Sequence, residues 1–336
     1  MRRTLAVSLT IIAVLAAGWL ALRRADIPYD TLETIYSVPD TQFMTLDDGL
    51  KVHLTDTGPQ DRAAIVLVHG FSASLHTWEA WKTALELDYR VITLDLPGHG
   101  LTRAEDPSQA KIERFAEVVH EVTQDLGVER FTLAGNSMGG NTAWSYAQAY
   151  PEKLDGLILV AASGWPEEEG EGDDSPFIFT LLSNPIARAV LKDLDMTSLT
   201  RSGLEGAYTD QSFVTDELVE RYVALSRAPG HRAHLQAIMG GERVHASTDK
   251  QTAKSVPTLV MWGTDDNLVP VSGAQKFADA IPNTTLAVYE GVGHLPQEEN
   301  AEQSIVDVRT FMMDVEWSTV EDEAIIPAGD PTITDN

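Results

Sequence analysis

Apolar residues along this chain gather into short unbroken runs, with stretches of helical period between them. The runs are "AIVLV" ending at Val68, "VITLDL" from Val91 to Leu96, "FTLAG" from Phe131 to Gly135, "LILVA" from Leu157 to Ala161 and "TLVMW" from Thr258 to Trp262. A run that does not alternate with polar residues is buried on both faces, as strands are in a parallel sheet covered by helices. Ahead of Phe131, the residues Ile112, Phe115, Val119, Val122 and Leu126 recur at spacings of three and four, one face of a helix that Gly127 ends. Nearer the start, "QFMTLDDGLKVHLTDTG" reads as two short strands joined at an Asp-Asp-Gly turn. The alternation of strand and helix predicts an α/β fold, a mostly parallel central sheet flanked by helices.

The alternation breaks once. From Gly164 to Lys254 strand-like runs are absent, and segments such as "DELVERYVALS" have helical period. An insertion after that strand would lie over the carboxyl ends of the sheet, where open α/β folds bind ligands, so residues 164–254 are expected to form a helical cap. The predicted core is then split into 40–163 and 255–315. The cap opens with the acidic stretch "PEEEGEGDDSP" from Pro166 to Pro176, which reads as a solvated loop. Residues 316–336 are acidic and proline-punctuated, and read as a frayed tail.

The first 26 residues read as a membrane segment. Arg2 and Arg3 precede an uncharged stretch from Thr4 to Leu22, and Arg23 and Arg24 follow it. About 20 apolar residues span a bilayer, whereas a signal-peptide core is usually about 7–15 long, so the length favours an uncleaved anchor over a cleaved signal. Arginines at both ends leave orientation open, and the body is expected outside the cytoplasmic membrane. The formal net charge of −27 argues against nucleic-acid partners, because long-range repulsion would oppose each encounter. With no cysteine in the chain, thiol chemistry is excluded as well.

Candidate chemistry starts at Gly135-Asn136-Ser137-Met138-Gly139, a G-x-S-x-G sequence at the point where a strand run gives way to a helical one. Chance would supply about 0.1 such matches in a chain of this length, so the context decides. The context is that of a nucleophile elbow, in which a sharp turn lifts the serine hydroxyl above the sheet. A serine needs a base, and the base a carboxylate to fix its tautomer. Downstream, "LVMWGTDDNLVP" offers Asp265 and Asp266, and "LAVYEGVGHLP" offers His294, each just past an apolar run. Either aspartate could reach a loop histidine.

The segments "VHGFSASLHTW", "LDLPGHGLT", "GNSMGG", "WGTDDNLVP" and "GVGHLP" together resemble the signature segments of the α/β-hydrolase superfamily, in its usual order, from about Gln42 to Val315. Within it the chain is most similar to membrane-anchored or secreted serine esterases and to the "GNSMGG" group that includes meta-cleavage-product C–C hydrolases. The resemblance implies Ser137 as nucleophile, His294 as base and Asp266 as acid, since Asp266 matches a G-x-x-D-x-x-x-P pattern running from Gly263 to Pro270. It implies an oxyanion hole from the backbone N–H groups of Met138 and Phe71, and no cofactor. Leu295 stands where C–C hydrolases of the family carry a tryptophan. The expected substrate is therefore a small, neutral, apolar carboxylic ester, cleaved through an acyl-enzyme, with C–C bond hydrolysis and a catalytically silent binding protein as alternatives.

Other constellations are read as structural. His69 and His99 are expected to hold tight loops, and Trp78, Trp81 and Trp144 to be core or pocket wall. His120, beside Glu117 and Glu121, reads as part of a solvated helix face. A metal site from His231, His234, His245 and Glu242 is considered and set aside, so no metal is expected. The apolar stretch "PFIFTLLSNP", Pro176 to Pro185, suits an acyl-chain pocket.

Overall fold

A computed structural model of the chain describes residues 16–104, 106–165, 193–240 and 255–324, together with Thr10, Val14 and Asn184, with side chains to 315. The elements are, in chain order, α1 (Tyr29–Tyr36), β1 (Thr41–Thr45), β2 (Lys51–Thr57), β3 (Ala64–Val68), α2 (Glu79–Leu85), β4 (Arg90–Leu94), α3 (Ile112–Asp125), β5 (Phe131–Asn136), α4 (Met138–Ala149) and β6 (Leu154–Val160). There follow α5 (Thr197–Ala207), α6 (Asp216–Ser226), α7 (His231–Gly240), β7 (Thr258–Gly263), α8 (Ser272–Ala280), β8 (Thr284–Tyr289), α9 (Pro296–Glu299) and α10 (Ala301–Ala324).

All eight strands join one sheet in the order β1-β2-β4-β3-β5-β6-β7-β8. β1 pairs antiparallel with β2, β2 antiparallel with β4, and the rest are parallel. Each unbroken apolar run marks a strand, those ending at Leu96 and Ala161 reaching one or two residues past β4 and β6. Their side chains alternate between two cores: Val66 and Val68 join Phe115, Val119, Trp144 and Phe277 on one face, whereas Ile65 and Leu67 join Trp78, Trp81, Val308 and Phe311 on the other. A fully buried side chain of this size stabilises the fold by about 1.5–3 kcal/mol, which makes the double-faced burial the main glue.

Two local readings differ from the sequence expectation. The tail expected to fray from 316 instead continues α10 to Ala324, because no glycine or proline interrupts it before Pro327. His120 is only partly exposed: its ring stacks on Tyr150 with centroids 4.0 Å apart, and its Nδ1 lies 3.2 Å from the Tyr146 hydroxyl. Burial pushes its pKa down.

The described part of the insertion is helical. In α6 the Thr215 hydroxyl accepts the Leu218 N–H at 3.1 Å, Asp216 and Glu217 occupy the first turn, and Leu218, Val219, Ala224 and Leu225 point inward. α5 and α6 share an apolar cluster, and α1 packs Leu32 against Ala224 and Leu225 of α6. The residues just before α1 strap onto this cap. Arg24 N–H donates to the Asp193 carbonyl at 2.7 Å, Asp195 N–H to the Leu22 carbonyl at 3.0 Å, and the Arg227 guanidinium to the Ala25 carbonyl at 2.8 Å. The acidic stretch after Gly164, the apolar stretch at Pro176–Pro185 and most of the Thr4–Leu22 segment lie outside the described residues. Among the described residues no helix is long and apolar enough to cross a membrane.

Candidate active site

Four loops meet at the carboxyl ends of β3, β5, β7 and β8. Ser137 occupies the tight turn between β5 and α4, with φ 55° and ψ −115°, backbone angles that a side-chain-bearing residue adopts only under constraint. The turn closes because Gly135 and Gly139 lack side chains. A Cβ on Gly135 would stand 2.0 Å from the Gly139 carbonyl oxygen, and one on Gly139 would stand 2.2 Å from that of Val68. The first N–H groups of α4, Met138 included, have no intrahelical acceptor and face the turn as donors. Across from it, a Cβ on Gly70 would stand 3.2 Å from that of Ser137, so this glycine lets the loop after β3 come close to the serine turn, with Phe71 next in line.

The other two sequence-selected residues are in contact. His294 Nδ1–H donates to Asp266 Oδ2 at 2.7 Å, and the two side chains are 6% and 0% exposed. The second oxygen of Asp266 accepts the N–H groups of Leu268 and Val269 at 2.8 and 2.9 Å, so the carboxylate is fixed by its own loop. Asp265 is exposed and accepts the Thr264 hydroxyl at 2.8 Å instead. The two loops are also stitched through backbone: Asp265 N–H donates to the Val292 carbonyl at 3.0 Å, and Gly291 N–H to the Thr264 hydroxyl at 2.9 Å.

Ser137 and His294 lie on adjoining loops. The buried Asn136 amide donates to the carbonyls of Val160 and His294, each at 3.2 Å, which moors the histidine loop to the serine turn. Sequence reasoning gave Asn136 no role, and its signal was only its place before the serine. Among the described residues no hydrogen bond joins the Ser137 hydroxyl to the imidazole. In catalytic sites without substrate such bonds are often long and tighten only in the reacting complex. Arranged in this way, the residues suit proton transfer from a hydroxyl to an imidazole backed by a carboxylate.

The flanking histidines hold backbone. Leu96 N–H donates to His69 Nε2 at 3.0 Å while His69 Nδ1–H donates to the Gly70 carbonyl at 2.7 Å, and burial pushes the pKa of this ring down. His99 is buried against His69 and Phe71, and burial pushes it well below the usual histidine value. Of the residues considered for a metal, His231 and His234 are buried in the cap and face backbone carbonyls, whereas Glu242 and His245 lie outside the described residues. A hollow lined by Pro59, Arg62, Tyr89 and Arg309 lies at the amino ends of β3 and β4, away from the four loops.

A family model described as alpha/beta hydrolase fold matches residues 63–301. The chain belongs to that family. It is 29% identical over 286 residues to a 2-hydroxy-6-oxononadienedioate/2-hydroxy-6-oxononatrienedioate hydrolase of Burkholderia vietnamiensis, an alignment covering 82% of this chain and 96% of the relative. Among solved structures it superposes on a thermophilic esterase from Thermogutta terrifontis with TM-score 0.68 and 28% identity, over 82% of this chain and 98% of that one. A meta-cleavage product hydrolase from Pseudomonas fluorescens IP01 shares the fold, with TM-score 0.69 and 24% identity over 81% and 97% of the two chains. The family, together with these hydrolase and esterase relatives, makes the protein a hydrolase.

Proposed function

We propose that this hydrolase cleaves small, neutral, apolar carboxylic esters through an acyl-enzyme on Ser137, with His294 as base and Asp266 as its carboxylate. The observation that carries the reading is the 2.7 Å imidazole–carboxylate contact on a loop moored by Asn136 to a strained serine turn. As Ser137 Oγ attacks the ester carbonyl carbon, its proton passes to His294 Nε2, and the imidazolium is stabilised by Asp266. The N–H groups of Met138 and Phe71 receive the oxyanion. Collapse expels the alcohol, which takes the proton from His294. A water then repeats the sequence on the acyl-enzyme, releasing the acid and restoring Ser137. Because the imidazole acts as a neutral base, activity falls in acid as it is protonated.

Apolar substrates are favoured by the exposed side chains of Phe71 and Leu268 on the site loops, and by the resemblance to an esterase. The C–C hydrolase relative favours a second reading, in which the same three residues hydrolyse a carbon–carbon bond of a 2-hydroxy-6-oxo-dienoate. Against it stands Leu295, buried in the cap cluster beside the histidine. The deciding experiment measures turnover of p-nitrophenyl esters of increasing acyl length and of a chromogenic 2-hydroxy-6-oxo-dienoate, with Ser137→Ala alongside. Ester turnover that vanishes in the variant supports the first reading, and dienoate turnover alone replaces it with the second. Ligand-induced thermal stabilisation without any turnover would mean a binding protein.

We propose further that the apolar stretch from Thr4 to Leu22 anchors the chain in the cytoplasmic membrane with its body outside. The support is the arginine-flanked pattern of that stretch. Recovery of the full-length protein in the soluble fraction after cell lysis would overturn it.

A further inference from the structure

The loop that carries His294 is attached to the cap as firmly as to the sheet. The Ala207 carbonyl at the end of α5 accepts the His294 N–H at 2.8 Å. Leu295 packs among Leu204, Tyr208, Leu218 and Val219 of the cap. Glu298 accepts the hydroxyls of Tyr208, at 2.8 Å, and of Thr77. Glu299 reaches in both directions. Its Oε2 accepts the N–H of Gly293, the residue before the imidazole, at 2.7 Å, and its Oε1 accepts the N–H of Asp210 in the cap at 2.5 Å.

This bridging matters because the loop has little stiffness of its own. Gly291 and Gly293 bracket a three-residue stretch before His294, and glycine leaves backbone angles unrestrained. Gly293 is also a close approach between core and cap: a Cβ there would stand 2.5 Å from the Ala207 oxygen, 2.9 Å from Glu299 Oε2 and 3.0 Å from the Thr209 nitrogen. A carboxylate accepting one main-chain N–H on each oxygen fixes both the distance and the angle between the pieces it joins.

We propose that Glu299 is a positioning residue for His294, through which the Ala207–Asp210 corner of the cap sets the imidazole relative to Asp266 and Ser137. The proposal rests on the hydrolase mechanism above. It implies that displacing the cap displaces the base, so that cap position controls turnover as well as access.

The test compares wild type, Glu299→Gln, Glu299→Ala and, as a control for loss of an exposed charge, Glu302→Gln. Rates on the substrate that wild type turns over are normalised to the active-site titre from a phosphonate inhibitor. Glu299→Ala is expected to lower kcat about 10- to 100-fold with KM changed less than about threefold, as a misplacement of about 1 Å would. The pH profile of kcat/KM is expected to change as well, because the imidazole no longer keeps one fixed place beside Asp266. Glu299→Gln, which keeps one acceptor oxygen, falls between, and it carries the test if the alanine variant does not fold. An unchanged pH profile with kcat per titrated site within about twofold of wild type, or a loss that follows thermal stability alone, would overturn the role.

A readout that needs no turnover separates this proposal from the reading beneath it. The Nδ1–H proton of His294, assigned with His294→Ala, gives a downfield resonance. Its broadening or loss in Glu299→Ala supports positioning and its persistence unshifted overturns it, whereas absence of Ser137-dependent turnover in wild type overturns the hydrolase mechanism only.

Discussion

Among the described residues, two aspartate–histidine pairs in hydrogen-bond contact are buried and have nearly the same geometry. His53 Nδ1–H donates to Asp95 Oδ2 at 2.6 Å, and His294 Nδ1–H donates to Asp266 Oδ2 at 2.7 Å. Each carboxylate also accepts two backbone N–H groups, from Leu75 and Leu101 in one case and from Leu268 and Val269 in the other. What separates the pairs is the far side of the ring. His53 is fully buried and its Nε2 lies 3.1 Å from the hydroxyl of the half-buried Thr41, so both ring nitrogens are committed. His294 Nε2 has no hydrogen bond among the described residues, and its loop adjoins the Ser137 turn. A dyad whose two ring nitrogens are both committed is a rigid joint, whereas one with an uncommitted nitrogen leaves that nitrogen open to a neighbouring hydroxyl.

The sharpest way to break this comparison is to remove each ring. His294→Ala is expected to lower ester turnover by about 10³-fold or more while moving the melting temperature little. His53→Ala should do the reverse. It leaves Asp95 buried with its charge uncompensated, at a cost of about 3 kcal/mol, which lowers the melting temperature by roughly 6–12 °C. Turnover per folded molecule should stay near wild type. Calorimetry with titrated active sites decides: equal loss of turnover in both variants would erase the distinction.

Acid unfolding sharpens the comparison with a smaller effect. Burial holds the rings of His69, His76 and His99 neutral, with His76 pushed down to about 4 by burial and by Arg221 nearby. The unfolded chain takes up these protons first, so their contribution to stability is complete above about pH 6.5 and is lost as pH falls toward the folded values. Burial opposes the charge on Asp95, yet His53 and the N–H donors outweigh it and hold the carboxyl below its usual range. That contribution is complete above about pH 4 and is lost below it. Urea unfolding from pH 8 to 3 should show two successive declines. His53→Ala should flatten the lower one and leave the upper in place, and a lower decline unaltered in that variant would detach His53 from Asp95.

The sequence made the two pairs unequally visible. Ser137 announces itself through glycines two before and two after it, which the turn needs because their Cβ atoms would meet backbone. The strands of the core were legible because burial on both faces forbids alternation. Asp95 and His53 carry no such mark, since 42 residues separate them and the contact forms only when β2 lies beside β4. Choosing Asp266 over Asp265 needed the family's G-x-x-D-x-x-x-P pattern, because this chain's own spacing leaves both within reach of a loop histidine and the loop's turn after Gly263 decides which one meets it. The packing of His120 escaped the sequence for the same kind of reason: its partners Tyr146 and Tyr150 belong to the next helix and its end, whereas the charges beside it in sequence spoke only of the half of the ring that faces solvent. Glu299 looked like one acid among several.

The smallest expected effect concerns what lies behind the site pair and not behind the core pair. Asp266 and His294 face a cap that is strapped from outside by residues Leu22 to Asp26, whereas Asp95 and His53 are enclosed by the sheet and its loops. A chain shortened to begin at Ile27 loses the Arg24 and Ala25 backbone contacts and the Asp26 partner of Arg232, at 2.5 Å. Exposed contacts of this kind contribute about 0–1 kcal/mol each, so the loss should lower the melting temperature by roughly 2–4 °C. Because the strap holds the cap, the shortened chain should also shift its acyl-length optimum or raise KM relative to one beginning at Leu20. Identical kinetics and melting for the two lengths would show that the cap holds its place without the strap. A change in the acid decline assigned to Asp95 would show that the two pairs are mechanically connected, which their separate surroundings argue against.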